Sequence, residues 1–320
     1  MKVLIVGYFT ECSKERIINS FPPEWEICIV EPGEEIEYIS SCEILIPEHI
    51  MVDAKLLEKA KKLRLVQTGA GFDNVDIEAC TNKHIWAANA AGVNAVAVAE
   101  HTLAFLLEFY KNIAYLDACM KQNLDEKLLS YTGAEVAGKV IGIIGLGAIG
   151  RRVAKYCHAL DMETIAYDIN SDVSCEDYIK KVGLEELIIR SDVVTTHIFL
   201  NEQTRGMINQ NVFRKMKNSA LYINTARGGI VVEEDLINAI KQGEIGGACL
   251  DVFEKEPLES NSELRQLKKV ILTPHTAGMP DGLKFHKARY AFFLSNIKKI
   301  VSGCIPESNL NFVENREWHN

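Results

Sequence analysis

The sequence predicts an α/β protein of two domains, one of them built on a doubly wound parallel sheet. Short apolar runs of strand length alternate with helical patterns along most of the chain, and a glycine-rich turn directly follows one such run and opens a helix. At 320 residues the chain also exceeds the roughly 250 to 300 at which single cores usually stop growing.

The elements follow in order. Strand candidates in the first hundred residues are 2–7, 26–30, 43–46, 63–66 and 84–86. Residues 53–63 carry apolar side chains at helical spacing behind Asp53, which can cap the first turn. The stretch VAVAEHTLAFLLEFYKNIAYLDACM, 96–120, is too long and too apolar for a strand and predicts one long, largely buried helix. Residues 121–139 are mostly polar with two glycines and predict a connection into the second domain. There the strand candidates are 140–144, 164–167, 192–197, 220–223, 247–250 and 270–272, and a helix over 233–242 closes into Gly243. Fully apolar short strands between helices predict a parallel sheet covered on both faces. A last helix, 283–301, would make the first domain discontinuous if it returned to pack on it.

Composition narrows the function. Hydrophobic residues at 48% and charged residues at 25% argue against disorder, and a net charge of −9 without a basic stripe argues against nucleic acid as a partner. No apolar run reaches the ~20 residues that a bilayer crossing needs. The opening MKVLIVGYFTECSKERI is too quickly polar for a secretory signal and predicts a first strand. Nine cysteines, odd in number, widely spaced and without a CxxC pair, predict ordinary thiols in a reducing compartment with no metal framework. A cytoplasmic protein is expected.

The strongest local motif is VIGIIGLGAIGRRVA, 140–154. Gly145, Gly147 and Gly150 make G-x-G-x-x-G between an apolar strand and an amphipathic helix. One glycine makes the turn, one admits pyrophosphate to the backbone and one lets helix pack on strand, while the helix N-terminus offers N–H groups to phosphate. Asp168, directly after the next strand, suits the adenosine ribose hydroxyls and would repel a 2′-phosphate, which favours NAD over NADP. A glycine-rich turn that binds no nucleotide is the plainer rival.

Ligands of open parallel sheets bind beyond the carboxyl ends of the strands, and Arg227, Glu256 and His275 each follow such an end. Oxidising a 2-hydroxy acid requires a base for the hydroxyl proton and a receptor for the carboxylate. His275 titrates in the range to take that proton or return it, Glu256 would hold its imidazole in one tautomer, and Arg227 offers a planar fork to the carboxylate. Each has a structural rival: a loop histidine, a surface glutamate, and an arginine paired with Glu233 or Glu234. Cys249 reads as a buried strand thiol and not as a nucleophile.

With those residues in view, the chain resembles the D-isomer-specific 2-hydroxyacid dehydrogenase family. GAGFDNVD at 69–76, NAAGVNAVAVAEH at 89–101, GLGAIG at 145–150, NTARGGIVVEEDL at 224–236, GGACLDVFEKEPL at 246–258 and PHTAG at 274–278 carry the resemblance in order and spacing. It implies a Rossmann NAD-binding domain, 100–283, inserted into a smaller flavodoxin-like α/β substrate-binding domain made of 1–99 and 284–320. It implies Arg227, Glu256 and His275 as the catalytic set, and Ala70, Gly71 and Arg227 as the groups that hold the substrate carboxylate. NAD contacts are implied at Asn94, Val98, Gly145, Gly147, Ala148, Ile149, Asp168, His197, Thr204, Thr225, Ala226, Arg227, Asp251, His275 and Ala277. A homodimer that pairs through the nucleotide domain is implied too, and the apolar residues 98–115 suit such a surface.

Departures from the family pattern bear on the substrate. Pro47 and Glu48 replace the basic group of phosphoglycerate-type members, although His49 would tolerate phosphate. Ala70 stands where phosphite-oxidising members have lysine, and Glu256 where formate-oxidising members have glutamine. A small or apolar-chain unphosphorylated 2-keto acid is expected. The alternatives are a hydroxypyruvate or glyoxylate reductase, marked by a polar pocket around 47–50 and 69–72, a phosphoglycerate dehydrogenase, and an NADH-sensing interaction protein with little turnover. Phe199 replaces a usual proline, either lining the cofactor edge or loosening its loop. Asp161 replaces a helix-terminating glycine at a modest cost in stability. The segment 279–282 lacks the usual start of the final helix.

Overall fold

A computed structural model describes residues 1–48, 50–124, 133–281 and 285–313. His49, residues 125–132 of the expected connection over 121–139, the expected start of the last helix at 283–284 and residues 314–320 lie outside the described residues. The chain divides into two units, Met1–Asn94 with Met279–Asn320, and Ala95–Gly278. The expected boundary at 99/100 falls inside a helix that belongs whole to the second unit, and the one at 283/284 lies outside the described residues.

The first unit runs β1 (Lys2–Val6), α1 (Glu11–Ile18), β2 (Glu26–Val30), α2 (Glu35–Tyr38), β3 (Ile44–Pro47), α3 (Ala54–Lys59), β4 (Leu65–Gln67), α4 (Ile77–Asn82) and β5 (Trp86–Ala88). The second runs α5 (Ala95–Lys111), α6 (Ile113–Lys121), β6 (Val140–Ile144), α7 (Ala148–His158), β7 (Glu163–Tyr167), β8 (Ile179–Lys181), α8 (Leu184–Arg190), β9 (Val193–Thr196), α9 (Gln210–Phe213), β10 (Leu221–Asn224), α10 (Glu233–Gln242), β11 (Gly247–Leu250) and β12 (Val270–Leu272). The last helix, α11 (Lys287–Val301), belongs to the first unit.

Both sheets are parallel. The first has the order β2-β1-β3-β4-β5. Alternation along each strand feeds two cores. Val3, Ile5, Ile44, Ile46 and Leu65 pack with Ile17 of α1 and with Tyr290, Phe293 and Ile297 of α11. Leu4, Val6, Leu45 and Val66 face the other way onto Leu56, Leu57 and Cys80 of α3 and α4. Asp53 caps α3 by accepting from the Leu56 amide at 2.9 Å, as its position predicts.

The second sheet has the order β12-β11-β10-β9-β6-β7-β8. Strands are added in one direction from β6 to β8 and in the other from β9 to β12, so the strand order reverses between β6 and β9, the kind of switch point beside which a ligand crevice opens. Ile141, Ile143, Val193, Leu221 and Ile223 pack against α5 and α7, and Ile144, Ile165, Val194, Tyr222 and Leu250 pack against α8, α9 and α10.

Three expectations are corrected. The helix expected over 96–120 is two, because Asn112 takes a left-handed conformation, φ 51°, between α5 and α6. Strand β8 went unread in the sequence: it is a three-residue edge strand with only Ile179 buried. The last helix starts at Lys287, where His286 is extended and its Nδ1 accepts from the Arg289 amide at 2.9 Å, while Asp281 accepts from the Lys287 amide at 2.8 Å. Asp161 adopts the left-handed conformation, φ 58°, that its place after α7 requires. No helix among the described residues is long and apolar enough to cross a membrane.

Helix α11 is tied to β4 by a buried polar bond. Asn296, 0% exposed, donates to Gln67 Oε1 at 2.8 Å and to the Glu307 carbonyl at 3.0 Å, and accepts from the Glu307 amide at 2.8 Å. Asn296→Ala strands these groups, and a loss of about 2–4 kcal/mol is expected in urea unfolding. An unchanged midpoint would show that the bond contributes nothing net.

Candidate active site

The second unit gathers its reactive side chains at the carboxyl edge of the β6–β12 sheet. Strand β6 ends in the glycine turn, whose three glycines have separate geometric reasons. Gly145 has φ 100° and packs so closely that a Cβ there would stand 2.5 Å from the His197 carbonyl oxygen. A Cβ on Gly150 would stand 2.0 Å from the Gly145 carbonyl oxygen. Gly147, the N-cap of α7, has no atom within 4 Å of that position, so its open face admits a phosphate to the N–H groups of Ala148 and Ile149. Asp168, just past β7, accepts from the Leu146 amide at 2.8 Å and from the Asn170 amide at 2.9 Å. The carboxylate thus fixes the turn, and each oxygen keeps a lone pair for a ribose hydroxyl. These features fit a dinucleotide.

Past β9, His197 pairs its Nε2 with the Thr195 hydroxyl at 3.0 Å, while its Nδ1 is buried without a hydrogen bond among the described residues. Burial pushes its pKa down to about 3. Thr204 donates to the Phe199 carbonyl at 2.7 Å and accepts from the Asn201 amide at 2.8 Å, which knits the loop; the Phe199 ring is exposed.

Past β10, Asn224 Oδ1 accepts from the Ala226 amide at 3.0 Å and its Nδ2 donates to the Arg227 carbonyl at 2.9 Å, which shapes the Thr225–Arg227 turn. Thr225 meets Thr102 at 3.1 Å, and Thr102 donates to the Val98 carbonyl at 2.8 Å, so α5 backs the same turn. A Cβ on Gly228 would lie 1.9 Å from the Phe253 carbonyl. Only glycine lets the Arg227 turn reach the backbone that leads to Glu256.

Glu256 Oε2 lies 2.6 Å from His275 Nδ1, and its Oε1 accepts from the Phe253 amide at 3.1 Å. Burial pushes the Glu256 carboxyl up, but the bond to His275, the imidazole's charge, the Phe253 amide and the Arg227 charge together hold it below its ordinary value. A carboxylate at Nδ1 leaves His275 Nε2 as the nitrogen that can exchange a proton with a ligand. His275 sits at φ 53°, a left-handed conformation uncommon for a side-chain-bearing residue, and its amide donates to the Asp251 carbonyl at 2.8 Å.

Asp251 is 1% exposed and accepts from the Thr273 hydroxyl at 2.6 Å and from the Thr276 and Ala277 amides at 2.9 Å each. His101 Nε2 lies 3.0 Å from that same hydroxyl. Burial lowers the His101 pKa, with the Asp251 charge opposing. Sequence reasoning missed this support by His101, Thr102 and Thr273. The signal available was the AEHT run on one turn of α5.

Ala70, Gly71 and Asn94 belong to the first unit. The loop after β4 is anchored by Asn89, which donates to the Ala70 carbonyl at 2.9 Å, and by Asn74, which donates to the Pro47 and Ile50 carbonyls at 3.2 and 2.8 Å. Asn94 Oδ1 is buried without a hydrogen bond among the described residues.

Residues 103–277 match the family described as D-isomer specific 2-hydroxyacid dehydrogenase, NAD binding domain. A D-3-phosphoglycerate dehydrogenase of Archaeoglobus fulgidus is 39% identical over 237 residues, covering 73% of this chain and 45% of that protein. A glyoxylate reductase of Thermofilum pendens is 35% identical over 267 residues, covering 81% of this chain and 78% of that protein. The structure is similar to that of a D-lactate dehydrogenase from Aquifex aeolicus solved with NAD and lactic acid, at TM-score 0.79 and 27% identity over 94% of this chain and 96% of that one. The chain spans about half the length of the phosphoglycerate dehydrogenases it matches, 45% and 53% of two of them.

Because His197 takes up its proton far below the ~6.5 of an unfolded histidine, the unfolded chain binds more protons between about pH 6.5 and 3, and stability falls as pH drops through that window. The slope this residue contributes is at most about 1.4 kcal/mol per pH unit, the limit for a single proton. His197→Gln preserves a partner for Thr195 and is expected to flatten the acid limb of urea midpoints measured against pH. An identical limb in the variant would remove His197 as its source.

Proposed function

The chain belongs to the D-isomer-specific 2-hydroxyacid dehydrogenase family, and we propose that it is an NAD-dependent oxidoreductase that exchanges a hydride with C2 of an unphosphorylated D-2-hydroxy or 2-keto acid. The observation that carries the reading is the 2.6 Å contact of Glu256 with His275, beside an Arg227 turn that Gly228 brings onto the Phe253 backbone.

When bound, NAD(H) supplies the hydride chemistry, and the protein supplies orientation, charge and a proton. His275 Nε2 gives a proton to the substrate oxygen in reduction and takes it back in oxidation. Glu256, held ionised, fixes the Nδ1–H tautomer and stabilises the imidazolium. Arg227 grips the carboxylate and polarises the neighbouring carbonyl, with the Ala70 and Gly71 amides on the same carboxylate. Gly145, Gly147, Ala148, Ile149 and Asp168 hold the dinucleotide, and Asn94, Val98, His197, Thr204, Thr225, Ala226, Asp251 and Ala277 line it. Asp168 makes that dinucleotide NAD and not NADP.

We read the first unit as flavodoxin-like from its 2-1-3-4-5 strand order. We read the protein as a cytoplasmic homodimer. Nine unpaired cysteines support the compartment, and exposed Ile113, Tyr115 and Met120 on α6 support an apolar contact in the nucleotide-binding unit.

His275→Ala is expected to lower kcat for 2-keto acid reduction by about 10²- to 10⁴-fold while NADH still binds, as followed by NADH absorbance and fluorescence. Retention of most turnover would remove His275 as the proton donor. Asp168→Ala should weaken NADH binding by about 10- to 100-fold and narrow the gap to NADPH, since a charge-assisted bond contributes roughly 1.5–3 kcal/mol. Equal losses for both cofactors would place the effect in the turn at Leu146 and not in ribose recognition.

A further inference from the structure

The C-terminal segment of the first unit covers the β5 edge of its sheet. Residues 308–311 run antiparallel beside β5, with Ala88 opposite Asn309, and the Leu310 amide donates to the Ala87 carbonyl at 2.8 Å. Asn311 locks the pairing: its Oδ1 accepts from the Ala87 amide at 2.9 Å, and its Nδ2 donates to the Ile85 carbonyl at 2.9 Å and to the Thr81 hydroxyl at 3.1 Å. The Ser308 carbonyl accepts from the Asn89 amide at 3.2 Å, with Ser308 held at φ 50°, a left-handed conformation that persists in a residue with a Cβ only where its surroundings fix it.

On its other side the end of β5 meets the loop after β4. The Asn89 Nδ2 donates to the Ala70 carbonyl at 2.9 Å, and the Ala90 amide donates to the Gly69 carbonyl at 2.8 Å. A planar trans peptide points its N–H opposite to its C=O. With the Gly69 and Ala70 carbonyls both drawn toward residues 89–90, the N–H groups of the same two peptides, those of Ala70 and Gly71, turn to the far side. Neither N–H has an acceptor among the described residues. Asn89 is 3% exposed, and it joins the two neighbours: its backbone takes the C-terminal segment and its side chain takes the loop.

We propose that Asn89 is a positioning residue for the 2-keto acid: it aims the Ala70 and Gly71 N–H groups, and the C-terminal segment holds Asn89 in place to do so. This rests on the reading of those two amides as receptors of the substrate carboxylate. A Gly-Ala-Gly loop left to itself samples many conformations, whereas two N–H groups fixed before the ligand arrives bind an anion with little reordering. One side-chain bond therefore decides where these donors point. Its loss weakens substrate binding and spares the proton step and the dinucleotide, because Glu256, His275 and the glycine turn belong to the second unit.

The test measures kcat and KM for pyruvate, glyoxylate and hydroxypyruvate, NADH affinity by fluorescence, and amide hydrogen exchange over residues 68–73, in the wild type, Asn89→Ala, Asn89→Leu and Asn311→Ala. Leucine matches asparagine in size but cannot donate. Both Asn89 variants are expected to raise KM by about 10- to 100-fold, with kcat within about threefold and NADH affinity within about twofold of the wild type. Exchange over 68–73 should quicken in both while the second unit exchanges as in the wild type. Asn311→Ala, whose lost bonds go to neither the loop nor Asn89, should raise KM in the same direction by about three- to tenfold. A leucine variant with wild-type KM, or Asn89 variants in which kcat, KM and NADH affinity fall off together, overturns the assignment and leaves the dehydrogenase reading intact. Wild-type KM in Asn311→Ala alone overturns the part given to the C-terminal segment. A wild type that binds NADH and reduces none of the three acids overturns the dehydrogenase reading and this one with it.

Discussion

Asp251 is 1% exposed, so its carboxylate has to be compensated from within the fold, and the groups that do so are the Thr273 hydroxyl and the Thr276 and Ala277 amides. All three belong to the segment that carries His275. The same residue's carbonyl accepts from the His275 amide at 2.8 Å. One buried charge at the end of β11 therefore fixes a loop from both sides, and the left-handed φ of His275 becomes affordable only because that loop is so heavily determined. Without the carboxylate, the Thr273 hydroxyl and the Thr276 and Ala277 amides that flank His275 would lose their shared acceptor.

Close backbone approaches do for the other loops what Asp251 does for this one. Gly228 lets the Arg227 turn touch the Phe253 backbone, and the charge of Arg227 is then near enough to help hold Glu256 ionised. Gly145 and Gly150 compress the nucleotide turn between the His197 carbonyl and α7, while Gly147 leaves the outer face open. Packing thus sets the electrostatics: the positions of Arg227, Glu256 and the α7 N-terminus follow from where side chains are missing.

Much of this was legible in the sequence because both sheets are parallel and covered on two faces, so their strands read as continuous apolar runs. Edge strand β8 offers one buried residue and no such run, and it went unread. The break between α5 and α6 was hidden because Asn112 interrupts the helix by conformation, with neither glycine nor proline to mark it. Arg227, Glu256 and His275 were visible because each follows a strand end of one sheet. Glu48 and Arg289 were not visible as a pair: 241 residues separate them, and only the return of α11 to the first sheet brings them together.

That pairing changes what the arginines of the chain can do. An anionic substrate entering a protein of net charge −9 needs a local cation, and Arg227 and Arg289 are both candidates on type alone. Arg289 Nη2 has Glu48 Oε1 at 3.0 Å with both side chains largely buried, so its charge is balanced where it sits. Arg227 has its charge felt by Glu256, which in turn is bonded to His275. The two arginines therefore differ in their counter-ions: Arg289 lies against Glu48, whereas the acid that feels the charge of Arg227 is itself engaged with a histidine.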